Sequence, residues 1–442
     1  MATDGKVEHK KLLVVQTAAL GYEFLKRRCG GGIDSVRWMG LDFAPIDGGV
    51  PGVTCSAQAA FRTATDASVH GMIANGLYRR DLGRVMFWEQ SAGLVSGERI
   101  WKDLRAAGGR VAMLFWQQSI GEAADIIVTP APIHKHHGGM IQDCYTKPSG
   151  LYQNLCEQIG RKFKLSHYWG PMASVKAGDW IADATLAICQ DRDLASDLCL
   201  TYLPTLDYDL QRYGPDGPRA AKAADALEAQ LGRLINGAKQ CGYEVLLFGD
   251  YAISPVSGPA VLPNRALLNA GLLETRQVNG MLYPVLPASR AVAVCDHQIA
   301  HVYVSNPGDV ALAAETLRTI DGIETVLDAE AMARLGLGHP NSGELLAVAS
   351  QGRWLGYQWW TDPAQAPDYA RHVDIHNKPG FDPCELFFGW PPISISQDSS
   401  RIGGSHGAFG AGREVAWASS VALGGEINDI VSLARAVGNS LE

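Results

Sequence analysis

The sequence predicts an α/β fold: a mostly parallel central sheet sandwiched by helices, with an inserted α+β cap. Three observations carry that expectation. Short apolar segments without polar alternation (Lys11 to Val15, Arg110 to Trp116, Tyr243 to Phe248) read as strands buried on both faces. Helical stretches separate them, the longest running from Pro218 to Gln240. After about Tyr251 the texture becomes strand-rich, which marks the cap.

Taken in order, the strand Lys11 to Val15 leads into a helical Tyr22 to Arg28. Ser56 to Ala64 and Ile100 to Ala107 read as helices, and Arg84 to Trp88 as a strand. Gly242 ends the long helix because glycine tolerates the left-handed turn that a helix terminus needs. In the cap, Ala291 to Ser305 (AVAVCDHQIAHVYVS), a helix near Ala311 to Ile320, and Glu324 to Leu327 form a β-α-β layer. Glu344 to Ala349 and Trp354 to Trp360 are expected to extend it as strands, and the chain returns to the core near Leu386 to His406. The expected division is a core of residues 8–255 and 386–430 with a cap of 256–385. There is no internal repeat or low-complexity tract.

Charge and composition exclude several classes. Lys+Arg 38 against Asp+Glu 46 gives a net charge of −8, with no basic stripe, so nucleic acid is not the expected partner. No run approaches the ~18 apolar residues of a membrane span. The apolar run Leu12 to Val15 ends at Gln16, too short for a secretory signal. Nine dispersed cysteines without a CxxC pair fit reduced thiols, so the expected location is cytoplasmic. Leu441-Glu442 reads equally as native sequence or as an added tail.

Chemistry gathers in a few segments. VPGVTCSAQA delivers Thr54 to the mouth of a helix, where first-turn N–H groups such as those of Cys55 and Ser56 make an anion site. Thr54 is there either a simple N-cap or a nucleophile. In SVHGMIANGLY, Asn75 stands in a turn and can donate to an oxyanion, with Tyr78 beside it as a substrate contact. Asp207 follows an apolar run, with Gln211 four residues on and on the same face if this turn is helical. Asp250, followed by Tyr251, caps the strand ending in Phe248. His406 lies in the glycine-rich loop RIGGSHG. The pairs His297/His301 and Asp374/His376 have spacings that can suit a metal, and His134, His136 and His137 read as an exposed loop.

The collinear order of these segments resembles the alkaline phosphatase superfamily, in its branch of nucleotide pyrophosphatase/phosphodiesterases and phosphonoacetate hydrolases. The stretches that carry the likeness are VTCSAQA, HGMIANGLYRRDLG, YLPTLDYDLQRYGP, FGDYAI, KPGFDP and GGSHG. The resemblance implies an alkaline phosphatase-like core with two zinc ions at the sheet's carboxyl edge. By position, Thr54 is similar to the family's nucleophile and Asn75 to its oxyanion donor. Asp207 and His406 resemble ligands of one metal, while Asp250 and Thr54 resemble ligands of the other.

The departures reshape that expectation. Gln16 stands where the family has an Asp ligand, and Gln211 and Tyr251 stand where it has His ligands. Amide oxygens are poor zinc donors, so the expected cofactor is none, or one divalent ion (Zn, Mn or Mg), in place of a dizinc centre. The reading is an enzyme repurposed to act on a phosphorylated or otherwise anionic small molecule in a biosynthetic pathway, by hydrolysis or group transfer. Thr54, Asn75, Asp207, Asp250, Tyr251 and His406 would carry the catalysis, and Cys55, Gln16, Gln211 and Tyr78 would contact substrate. Two alternatives stay open. One is a metal-dependent phosphodiesterase or nucleotide pyrophosphatase with replacement ligands from Asp209, His297, His301, Asp374 or His376. The other is a non-catalytic binding pseudoenzyme. A homo-oligomer is also left open.

Overall fold

Lys11–Thr17 (β1) is the central strand of the protein because it offers apolar side chains to both faces: every residue after Lys11 is buried. A computed structural model describes residues 11–30, 36–136 and 139–441. The expected core start at residue 8, His137 and Glu442 lie outside the described residues. The other strands of the main sheet are Val36–Trp38 (β2), Leu41–Ile46 (β3), Val111–Leu114 (β4), Ile126–Pro130 (β5), Cys144–Lys147 (β6), Leu198–Leu203 (β7) and Tyr243–Gly249 (β8). Their order is β6-β5-β4-β7-β1-β8, followed by a late strand Val415–Ser419 and then β3 and β2. The pairs from β5 through β8 are parallel, while the pairings at both edges are antiparallel. Parallel strands buried on both faces need no polar alternation, which is why LCLTYL and YEVLLFG read as they do.

Helices cover the sheet. Thr54–Thr63 (α1), Lys176–Gln190 (α2), Asp207–Tyr213 (α3) and Pro218–Gln240 (α4) are the ones that matter for the site or its support. The long helix has the bounds its pattern gives, with Pro218 opening its first turn and Gly242 in the left-handed region (φ +80°) just beyond its end. Thr54–Thr63 opens two residues earlier than Ser56, so Thr54 itself forms the first helical turn.

The cap contains a separate four-stranded antiparallel sheet of Ala291–Asp296, Ile299–Val304, Leu345–Ala349 and Ile323–Asp328. It has its own apolar cluster, including Leu267, Val292, Val302, Leu317 and Trp359. Trp354 to Trp360 is a correction: it is irregular, with a single bridge from Leu355 to Val261. Its aromatic side chains are buried as filling for the cap, and an apolar run that signals burial does not by itself signal a strand.

Candidate functional site

Thr54, Asp207 and Asp250 stand at the carboxyl ends of the parallel strands, where α/β sheets gather ligands. Asp250 directly follows β8, and Gly249 before it is required: a Cβ there would lie 2.4 Å from the Leu20 carbonyl oxygen. The Ala19 backbone N–H donates to Asp250 Oδ1 at 3.1 Å, and the Thr54 hydroxyl donates to Asp250 Oδ2 at 3.2 Å. The Tyr202 hydroxyl lies 3.4 Å from Thr54 Oγ1.

The helix bearing Thr54 is buried nearly all round, so each of its polar groups needs a partner. Ser56 Oγ donates to the Met72 carbonyl at 2.6 Å. Arg62, fully buried, donates to the carbonyls of Gln117 and Gln118 and pairs with Glu122. Burial pulls its guanidinium down to about 10, still charged at neutral pH. The Cys55 backbone N–H donates to Asn75 Oδ1 at 3.0 Å. The backbone N–H groups of Thr54 and Ser56 have no hydrogen-bond partner among the described residues. The Cys55 N–H is thus not open to an anion as the sequence suggests, because Asn75 takes it, and the unpaired donors of this first helical turn are those of Thr54 and Ser56.

The three positions that depart from the family pattern have well-defined partners. Gln117 N–H donates to Gln58 Oε1 at 2.7 Å, which fixes that amide so that Gln58 Nε2 donates to Gln16 Oε1 at 2.7 Å. Gln16 Nε2 is thereby left as a buried donor with no partner among the described residues. On α3, Gln211 sits one turn after Asp207 and its Nε2 donates to both carboxylate oxygens, at 2.9 and 2.8 Å. The Tyr251 hydroxyl donates to Asp207 Oδ1 at 2.8 Å.

Tyr251 also stacks flat on His406, with ring centroids 3.5 Å apart and planes 2° apart. His406 Nδ1 lies 2.8 Å from the Gly52 carbonyl, so it carries the hydrogen and leaves Nε2 as a lone pair. Burial holds this imidazole well below its usual range, hence neutral. Burial also lifts Asp250 well above the usual carboxylate range, with Asp207 adding to the effect, and raises Asp207 itself. Tyr202 and Tyr251 are held protonated for the same reason, and Cys55 is pushed up to about 12, a thiol.

The contacts fall into groups: Thr54 bonds Asp250, Cys55 bonds Asn75, Asp207 bonds Gln211 and Tyr251, Tyr251 stacks on His406, and Gln16 is tied through Gln58 to the helix that bears Thr54. Tyr78 packs against Tyr303 and has no contact with these residues. Of the other residues considered as ligands, Asp209 pairs with Arg212, and Asp374 accepts hydrogen bonds from Asn377. Both nitrogens of His301 are satisfied, by the Ile73 carbonyl and the Gly343 N–H, and His376 Nδ1 faces the Phe87 carbonyl. Only His297 reaches the site, its ring 3.7 Å from that of His406. Asp296 is the residue the sequence reading did not single out. The two-residue tip DHQ-type break between two apolar six-residue strands was the available signal.

The protein is thus an α/β protein with a threonine at a helix mouth bonded to a carboxylate at a strand end. The sequence matches the family of type I phosphodiesterases / nucleotide pyrophosphatases over residues 20–382, and the chain belongs to that family. Among solved structures it resembles phosphonoacetate hydrolase from Sinorhizobium meliloti 1021 in complex with phosphonoacetate, with TM-score 0.62 and 15% identity over 98% of this chain and 96% of that one. An inactive form of murine ectonucleotide pyrophosphatase / phosphodiesterase 5 in complex with AMP gives TM-score 0.59 and 13% identity over 98% and 95%. The human form of that protein gives TM-score 0.58 and 14% identity over 98% and 94%. These likenesses establish the alkaline phosphatase-like fold. No curated protein sequence matches the chain.

Proposed function

We propose that this chain is an enzyme of its family whose site works through hydrogen bonds where relatives use a pair of zinc ions, acting on a phosphorylated or anionic small molecule. The observation that carries the reading is the state of Asp207. Gln211 and Tyr251, at two positions where the family has metal-binding imidazoles, both spend a hydrogen on its oxygens. Zinc favours imidazole, thiolate and carboxylate, and the oxygens of a Gln211 carboxamide, itself unpartnered among the described residues, and of a protonated Tyr251 phenol are poor donors in their place. Gln16 presents an unpartnered N–H as well. Among the described residues no group of three or more His, Cys, Asp or Glu is arranged to hold a metal ion. The donor set therefore does not fit a dizinc centre.

The remaining chemistry belongs to Thr54 and Asp250. The Asp250 carboxylate takes the hydroxyl proton across the 3.2 Å bond, and the threonine oxygen attacks the electrophilic centre of a substrate seated on the free N–H groups of the helix mouth. For a phosphate ester, the new O–P bond forms as the leaving alkoxide departs and takes that proton. Water or an acceptor alcohol then releases the group from Thr54. Burial raises the affinity of Asp250 for protons, the direction that makes a carboxylate a stronger base. The nine cysteines are all free, which supports a reducing, cytoplasmic setting. No described helix is long and apolar enough to cross a membrane.

The test is turnover of nitrophenyl phosphate mono- and diesters, and of phosphorylated metabolite panels, before and after chelation. The reading expects activity that survives chelation and disappears in Thr54→Ala; activity unchanged in Thr54→Ala overturns it. One observation favours a second reading, a metal-dependent phosphodiesterase. His406, held at Nδ1 by a carbonyl, has its other nitrogen in the form that ligates metals. Loss of activity on chelation, restored by Zn²⁺, Mn²⁺ or Mg²⁺, would select it.

A further inference from the structure

Loop tips ordinarily lie on the surface. The tip joining the cap strands Ala291–Asp296 and Ile299–Val304 does not: Asp296, His297 and Gln298 are all buried. His297 adopts φ +61°, in the left-handed region that is uncommon outside glycine although His enters it more readily than most residues. Such backbone strain persists where surrounding contacts impose it.

Those contacts converge on the Thr54 centre. Asp296 Oδ2 accepts from the Asn75 backbone N–H at 2.7 Å, and its Oδ1 accepts from Asn75 Nδ2 at 3.1 Å. The same Oδ1 lies 2.7 Å from His297 Nδ1. The His297 ring is sandwiched between Phe381, at 3.6 Å, and His406, at 3.7 Å, which in turn lies on Tyr251. The Gln298 N–H donates to the His406 carbonyl at 2.8 Å. Gly407 at φ +105° allows this closeness, since a Cβ there would press on the Gln298 nitrogen at 3.2 Å. A continuous path therefore runs from the Cys55 N–H through the Asn75 amide to Asp296 and His297. With Oδ1 and one amide hydrogen committed, the Asn75 side-chain plane is fixed and one hydrogen is left over for a ligand oxygen.

We propose that Asp296 and His297 are positioning residues for the Thr54 centre: the cap hairpin holds the Asn75 amide and the His406–Tyr251 stack in the geometry that the reacting group requires. The inference rests on the reading of Thr54 as nucleophile. A hairpin that merely anchored the cap would have no need of a buried carboxylate shared between Asn75 and a left-handed histidine.

The test titrates the full chain with two probes, inorganic phosphate and orthovanadate, which forms a five-coordinate adduct with a nucleophilic hydroxyl. Positioning is felt more in the transition-state-like complex than in the ground-state one. Asp296→Asn, which keeps shape and size, is expected to weaken vanadate binding about 10-fold or more and phosphate binding less than about 3-fold. Because Asp296 acts in part through Asn75, the double variant Asp296→Asn with Asn75→Ala should lose clearly less than the two single losses combined. Equal losses for the two probes, or additive losses in the double variant, overturn the proposal. If Thr54→Ala leaves vanadate binding intact, or vanadate does not bind at all, the nucleophile reading fails. Amide hydrogen exchange then decides the clamp. Exchange at Asn75 and Cys55 should quicken about 10-fold in Asp296→Asn while Lys11–Thr17 stays protected, and unchanged exchange at Asn75 and Cys55 refutes it.

Discussion

Tyr251→Phe removes one hydroxyl and little else. The ring stays stacked on His406, and Asp207 keeps both bonds from Gln211. What is lost is a buried 2.8 Å bond to a carboxylate, worth about 1.5–3 kcal/mol when the acceptor is charged. An unfolding entropy of about 2.1 cal/mol/K per residue over 442 residues gives about 0.9 kcal/mol/K, so the melting midpoint at pH 8 should fall by about 2–3 °C. The pH dependence is the sharper signature. Burial already raises Asp207, and the Tyr251 hydroxyl is one of the groups pulling it back. Without it the folded-state pKa climbs further. A carboxylate with a raised folded pKa contributes stability that is full below about pH 4 and is lost as pH rises through the folded value. The deficit of the variant therefore grows as pH rises above the raised folded-state pKa of the wild type and shrinks toward acid, where only a neutral bond of about 1 kcal/mol is missing. Calorimetry of both proteins from pH 4.5 to 8 reads it. A deficit that is absent, or that does not change across this range, would refute the assignment of Tyr251 as the group saturating Asp207.

Asp250→Asn should abolish turnover yet raise the melting midpoint at neutral pH. The raised pKa of Asp250 means that stability is lost as pH rises above the usual carboxylate value, and the amide removes that loss; a lower midpoint at pH 7.5 would contradict this. The wild-type rate should rise with pH along an acid limb set by Asp250, measured as kcat/KM against pH; a flat limb would remove it as the base. Arg62→Ala leaves the buried carbonyls of Gln117 and Gln118 unpaired while Glu122 keeps Arg99, at a cost of about 1–3 kcal/mol for each carbonyl in urea unfolding. A loss under about 1 kcal/mol would mean that Arg62 does not pin the Thr54 helix.

The core was legible because parallel strands and the helix Pro218–Gln240 announce themselves through local composition. Leu198–Leu203 and Tyr243–Gly249 are mostly apolar, with Asp207 four residues beyond the first and Asp250 directly after the second. The positions of Thr54, Asp207, Asp250 and His406 followed from the order of the segments. Their partners did not. That Tyr251 turns its hydroxyl to Asp207, 44 residues away, is a property of strand register, which no local pattern encodes. Asp296 meets Asn75 across 221 residues, so the hairpin tip looked like an ordinary turn. In Trp354 to Trp360 the apolar run reported burial correctly but not backbone conformation, since the rings fill the cap from an irregular segment.

Metal content measured by mass spectrometry, on the purified chain and on the triple variant Gln16→Asp, Gln211→His, Tyr251→His after dialysis with zinc and then a weak chelator, tests most directly the proposal that this site works without a zinc pair. Carboxylate and imidazole in place of the two amides and the phenol should let the variant retain zinc that the parent chain gives up. Stoichiometric zinc pairs retained by the parent chain would contradict the account.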